Sequence, residues 1–339
     1  MCRNILQSLS IALIYCGTVF GAGFASGQEI FRFFSAHGRV GIISAIFVGF
    51  LFVLLGSFLC FYAKRWKLQD ASSFFQHIFS AKTAGLMNFF CTAFLILSFC
   101  IMIVGCATLA SEQFGTRPIT GAVWSLALCF LIIRNRVRGL AIFNGIITPF
   151  LFFCVTALCM AGLFSKQSAE IVFPTNYGKG TMSGILYLSY NMLPAAAVLI
   201  PAAHLTETEK DAALGGGIGG MLIGIPLVLM TVLLSCFPDA ERVQMPFFSF
   251  VCNTYQKMAP LCGAVLYGAM LTTATSSGVS VLSQASERHT KTGAILLCVA
   301  ALIFSFIPFR TLVETVYTIF GFCGVVLMYG ICKTILRKK

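Results

Sequence analysis

Hydrophobic and polar positions in this chain fall into long blocks. Apolar runs of about 20 residues recur from one end to the other, separated by short stretches rich in charge, Gly or Pro. A run of that length crosses bilayer hydrocarbon as a helix, which satisfies its own backbone groups where no water is present. The breaks predict ten spans near 5–35, 39–63, 84–112, 118–133, 139–164, 182–203, 212–237, 258–285, 292–308 and 312–333. The expected fold class is therefore all-α: a polytopic membrane protein forming a single transmembrane domain over residues 1–339.

Composition agrees with the pattern. The chain is 58% hydrophobic and 10% charged, with a mean hydropathy of +0.92, whereas a soluble domain carries about a quarter charged residues. The net charge of +12 would suit a nucleic-acid partner, but its placement argues otherwise. Most basic residues collect in alternate connections, including Lys64, Arg65, Lys67 and Lys82, then Arg134, Arg136 and Arg138, then Lys333, Arg337, Lys338 and Lys339. That asymmetry places both termini on the cytoplasmic side of the cell membrane and makes the lipid bilayer, not nucleic acid, the expected partner. The 15 cysteines lie mostly inside apolar runs, as small hydrophobes do, with no CxxC or Cys/His cluster. His37, His77, His204 and His289 are scattered at span ends, so no protein-held metal centre or organic cofactor is expected. HExxH, GxSxG and paired intramembrane carboxylates are absent from the sequence, which argues against an enzyme.

Three connections are longer than the others. Residues 64–83 carry Phe74, Phe75, Ile78 and Phe79 among polar neighbours and predict an amphipathic helix on the cytoplasmic surface. Residues 165–181 mark the midpoint, and residues 238–257, with Pro238 and Pro246, predict an outer loop holding a short helix. Five spans on each side of the midpoint is an odd number, so any structural repeat is inverted, over about 5–164 and 182–333. The first and sixth spans then mirror each other, and both are expected to be discontinuous. The first contains Gly17, Gly21, Gly23 and Gly27 in a stretch that ends at Gln28-Glu29; the sixth contains Asn191 and the helix-breaking Pro194.

Several signals have two readings. Gly17-x-x-x-Gly21 and Gly23-x-x-x-Gly27 match the close-packing pattern of membrane helices as well as a helix designed to open. Glu29 and Arg32, one turn apart, either pair with each other or serve a cavity and an outer gate, the latter with Glu314. The Gly215-Gly216-Gly217-Ile218-Gly219-Gly220 run fits helix packing better than a nucleotide fingerprint, and Thr206-x-x-Glu209 reads as a capping box ahead of it. In the eighth span, Thr272, Thr275 and Ser276 either bond back to their own helix or offer oxygens to a small cation.

The string Gly21-Ala22-Gly23-Phe24-Ala25-Ser26-Gly27-Gln28-Glu29-Ile30 resembles the first-span signature of the YkvI-like family of bacterial membrane proteins. More widely, the chain resembles the amino acid–polyamine–organocation superfamily, with its LeuT-type fold of two inverted five-helix repeats. Gly17, Gly21 and Gly23 stand at the glycine spacing of its sodium-coupled members. The resemblance implies sodium ligands at Gly17 and Phe20 in the first span and at Thr272, Thr275 and Ser276 in the eighth. It implies substrate contacts at Gly21, Ala22, Gly23 and Phe24, and at Ser189, Asn191 and Leu193. Span five, residues 139–164, lacks the lysine that replaces sodium in proton-coupled relatives. The resulting expectation is a secondary active transporter of a small solute, an amino acid or related amine, coupled to Na+ and working by alternating access. The competing expectation is a solute-sensing membrane subunit with a transporter fold and little flux. Oligomeric state is left open.

Overall fold

The computed structural model describes residues 2–134, 136–164, 171, 173, 177–283 and 290–337. Among them the secondary structure is helical throughout. In chain order the helices are α1 (Cys2–Val19), α2 (Ala22–Ala25), α3 (Gln28–Phe33), α4 (Gly38–Arg65), α5 (Ala71–Ile78), α6 (Ala81–Phe114), α7 (Pro118–Arg134) and α8 (Arg136–Phe164). They continue with α9 (Tyr177–Ala202), α10 (Glu209–Ser235), α11 (Pro246–Thr254), α12 (Ala259–Ser283), α13 (Thr290–Phe304), α14 (Phe309–Leu312) and α15 (Thr318–Arg337). Seven helical stretches among the described residues are long and apolar enough to cross a membrane, and three shorter apolar helices accompany them. At 1.5 Å per residue, the 34-residue α6 is about 51 Å long, well beyond the hydrocarbon thickness. Large apolar side chains such as Phe47, Phe50, Trp124 and Phe153 point outward, as they do in a protein whose solvent is lipid. The protein is a multi-pass membrane protein.

The expected break in the first span is present. α1 stops at Val19, Phe20 and Gly21 are non-helical, and two short helices follow. The Gly21 amide turns back to the Val19 carbonyl (2.8 Å) and so leaves the ladder that would engage Gly17. Gly27 then adopts φ +80°, a left-handed conformation open to glycine at little cost. The expected break in the sixth span is not present. α9 runs through Pro194 and Pro201 without interruption. Proline removes one rung of the ladder, yet its fixed φ is helical, and neighbouring helices can hold the span together across the gap. α9 has such neighbours in α4, α15 and α6.

Packing in lipid needs close backbone approach, because apolar side chains gain little by leaving lipid for protein. The glycine run of α10 provides that approach on two faces. Gly216 meets the backbone of Gly56 and Gly220 meets Phe52 and Val53, both on α4, while Gly215 and Gly219 lie against Ser8, Ile11, Ala12 and Tyr15 of α1. Gly49 and Gly224 also cross within van der Waals contact. The start of α10 differs from the expected box at Thr206: Thr208 is the cap, its hydroxyl accepting from the Asp211 amide at 3.1 Å. Thr206 instead donates to the Ala203 carbonyl (3.0 Å), closing the preceding turn.

The long connections take distinct forms. In 64–83, α5 starts with a reciprocal cap between Asp70 and Ser73 and buries Phe74 and Phe75 against the bundle, so it is anchored in protein. In 238–257, the short helix expected there is α11, which packs on α3, α10 and α12. Most of 165–181 lies outside the described residues.

A leucine at position 220 would have to displace the α4 backbone, whereas a β-carbon on Gly85 meets nothing within 4 Å. Gly220→Leu is expected to destabilise the protein by about 1–3 kcal/mol, read as a lowered thermal midpoint in detergent. Gly85→Leu is expected to leave the midpoint unchanged.

Candidate functional site

The break in the first span opens onto a cavity of about 480 Å³. Its walls come from α1, α6, α8, α9 and α12, with Glu29 and Tyr317 at one end. Along α1 the lining residues pass from exposed Ser10, through half-buried Leu13, Ile14, Gly17 and Thr18, to buried Val19 and Gly21. The lining residues of α1 are thus most buried at the break and most exposed towards the start of the helix.

Glu29 lies at that buried end. It sits in the first turn of α3 and is 3% exposed. The Tyr190 hydroxyl of α9 donates to its Oε2. Gly23 makes room for this arrangement, since a β-carbon there would fall on the Glu29 carboxylate. The Tyr190 ring stacks on Tyr317, with centroids 4.8 Å apart and planes at 21°. Phe33 lies 5.6 Å from Tyr190, and Phe94 of α6 is 6.0 Å from Tyr317. Tyr317 ends a π-helical turn, Val313–Tyr317, between α14 and α15; such wide turns recur at functional sites. Behind this aromatic plug, the Phe247 amide of α11 donates to the Ser26 carbonyl (2.9 Å). A β-carbon on Gly27 would press on Phe247 at 2.8 Å, so α11 fastens the break from outside.

The three residues expected to form a gate separate. Glu29 does not pair with Arg32: the carboxylate turns inward to Tyr190, while Arg32 is exposed. Glu314 accepts from Arg310 Nε at 2.8 Å. Arg310 also donates from its guanidinium to the Glu241 carbonyl and from its backbone amide to Gln244 Oε1 (2.9 Å). The pair therefore ties α14 to the connection before α11.

Of the positions implied for solute, Gly21 and Asn191 line the cavity. Gly23 lies behind Glu29, and Phe24 is buried with its ring 4.6 Å from that of Phe20. Ala22 opens the short helix α2. Ser189 abuts Gly324 of α15, and the Leu193 carbonyl accepts from the Cys91 thiol (3.9 Å) on α6. Both face away from the cavity because α9 stays helical: its lining residues are Tyr190, Asn191, Pro194 and Val198, one face of a regular helix.

The same periodicity sorts α12. Thr273, Ser276, Ser277 and Ser280 line the cavity at helical spacing. Thr272 donates to the Ala269 carbonyl (2.8 Å); Thr275 donates to the Leu271 carbonyl and lies against Cys129 of α7. Of the five positions implied for sodium, Gly17 and Ser276 reach the cavity, while Phe20, Thr272 and Thr275 are buried behind it. Thr148 of α8 adds an oxygen not expected from the sequence: its hydroxyl would touch a β-carbon on Gly17 at 3.0 Å. Tyr190, Tyr317 and Phe94 were also missed. Pro149 beside Thr148 and Pro194 near Tyr190 were the available signals, since each proline releases a carbonyl one turn back, at Gly145 and Tyr190, and both of these residues line the cavity.

No family model matches the chain. By sequence it is similar to the uncharacterized membrane protein YkvI of Bacillus subtilis (strain 168), with 27% identity over 336 residues that cover 97% of this chain and 96% of that one. It is also similar to the uncharacterized protein YyaD of the same organism, with 25% identity and 93% of each chain covered. By structure it is similar to a Na+-coupled sialic acid symporter in a substrate-bound outward-open state, with a TM-score of 0.61, 15% identity, and 94% of this chain and 76% of that one covered. A mutant of the Eremococcus coleocola manganese transporter aligns with a TM-score of 0.51 at 13% identity, covering 98% of this chain and 72% of that one. At these identities the structural likeness establishes a fold shared with membrane transporters, and the chemistry rests on this chain's own residues.

A charged thiol reagent is expected to reach Ser276→Cys and Ser280→Cys at least about tenfold faster than Thr275→Cys, because thiol reactivity follows access. Site-resolved mass spectrometry checks this. Equal labelling of positions 275 and 276 would contradict the lining.

Proposed function

We propose that this chain is a secondary active transporter that moves a small amine-bearing solute, an amino acid or related amine, by alternating access. The observation that carries the reading is the one-sided cavity, which ends at a broken helix and a buried carboxylate. Irregular backbone at membrane depth is tolerated where it lines a cavity or is buried in protein, and paired broken or proline-interrupted spans mark transporter binding sites. The similarity of fold to transporters supports the same reading. In this proposal α1 through α3 form one span, and ten spans make two inverted repeats of five. Both termini lie on the cytoplasmic side of the cell membrane, so the cavity faces inward.

Sodium coupling belongs to the same proposal. The Gly17 carbonyl, released from the ladder at Gly21, and the hydroxyls of Ser276 and Thr148 supply hard oxygen donors on the cavity wall. Thr272 and Thr275 keep acceptor capacity on oxygens that donate within α12, and a small rotation of that helix would bring them round. Gln28 on α3 is buried with side-chain polar atoms that lack a partner among the described residues, and α3 packs on α9. An unpartnered buried polar group costs about 1–3 kcal/mol, which keeps this contact poised to rearrange.

Proteoliposomes containing the full chain test the proposal. Uptake of labelled amines and amino acids is expected to be faster under an inward sodium gradient than under an equal potassium gradient. Flux without sodium dependence would remove the coupling, and solute binding without flux would favour a sensor.

A further inference from the structure

We infer that Glu29 is the anchor for a positively charged nitrogen, and that the solute is a small organic monocation without a free carboxylate. The inference rests on reading the cavity as a solute site and narrows what that site accepts. Among the described residues that line the cavity, Glu29 is the one charged side chain; the rest are apolar, aromatic, hydroxyl or amide groups. Its observed hydrogen-bond partner, the Tyr190 hydroxyl, is neutral. Arg32 is exposed, and Arg310 is engaged by Glu314. A carboxylate so buried is stabilised by an opposite charge arriving from the cavity, and a neutral hydrogen bond replaces only part of its lost hydration.

The surrounding walls fit the same cargo. Phe94, Tyr190 and Tyr317 present rings to the cavity beside Glu29, and aromatic faces within about 6 Å attract ammonium groups. A solute carboxylate would meet the opposite environment: repulsion from Glu29 and no Lys, Arg or His among the described lining residues. A divalent metal ion lacks its usual cluster too, since no group of three or more His, Cys, Asp or Glu side chains comes together among the described residues. The site thus differs in charge from what an acidic sugar needs and in ligand number from what a manganese ion needs, although the fold is shared with transporters of both.

Calorimetry on the purified full chain in nanodiscs tests this with choline, tyramine and ethanolamine as probes, and with alanine and N-acetylneuraminate as carboxylate-bearing counterparts. At least one of the three amines is expected to bind, and both carboxylates to bind more weakly. Glu29→Gln, which keeps an acceptor for Tyr190, is expected to weaken amine binding at least about 30-fold with an unchanged thermal midpoint. Phe94→Leu, which removes a ring while keeping an apolar wall, is expected to weaken it about fivefold. Tighter binding of a carboxylate than of every amine would overturn the inference, as would amine binding indifferent to Glu29→Gln. The outcomes separate from those of the transport reading: Glu29-dependent amine binding without flux would leave this inference standing and remove transport, whereas Glu29-independent flux of a carboxylate would do the reverse.

Discussion

The burial of the Glu29 carboxylate against the Tyr190 hydroxyl is the constraint around which the rest of the site is arranged. A charged group at membrane depth is tolerated where it faces protein or a water-filled cavity and has a partner. Gly23 permits it sterically, because any β-carbon there would occupy the carboxylate's place. The chain between α1 and α3 must then leave helical geometry, which it does at Phe20-Gly21 and again at the left-handed Gly27. The carbonyls and amides released by these turns need other partners or water. One is captured outside the site, where α11 donates from Phe247 to Ser26.

The glycine-packed part of the molecule follows a different rule. α1, α4 and α10 approach through glycine, with Gly56 against Gly216 and Gly49 against Gly224. Dispersion between closely placed backbones stabilises this packing where lipid provides no hydrophobic driving force. The cavity therefore lies between a glycine-packed body and helices whose facing surfaces are aromatic or hydroxylated. Tyr190, Tyr317 and Phe94 close its inner end, while the hydroxyl stripe of α12 runs along its length.

Much of this organisation is legible in the amino-acid sequence, and the exceptions share a cause. Apolar runs mark the membrane helices because hydrocarbon demands them, and Gly27 marks the opened helix because its left-handed conformation needs the backbone freedom of glycine. The glycine run of α10 reads correctly as packing because it lacks the strand that a nucleotide loop requires. Pro194 misleads: proline signals a lost hydrogen bond, and only the neighbouring helices decide whether the helix also breaks. Once α9 stays intact, Ser189 and Leu193 rotate away from the cavity and Tyr190 turns towards it. Thr272 and Thr275 show the same effect on α12, where the side chains that face inward are set by helix rotation, which only packing determines. Glu29 and Arg32 look like partners at their spacing along the chain, but the space left by the glycine at position 23 admits the carboxylate inward, where Tyr190 holds it, and the arginine stays outside.

The central claim is that a carboxylate held by a tyrosine closes a cavity at the break of the first span. An electron cryomicroscopy map of the full chain in a lipid nanodisc, at a resolution that shows side chains, examines it directly. The account predicts density for Glu29 joined to the Tyr190 hydroxyl at the end of an open cavity, with α9 continuous through Pro194. A continuous first-span helix with Glu29 paired to Arg32 and no cavity beside it would contradict the account.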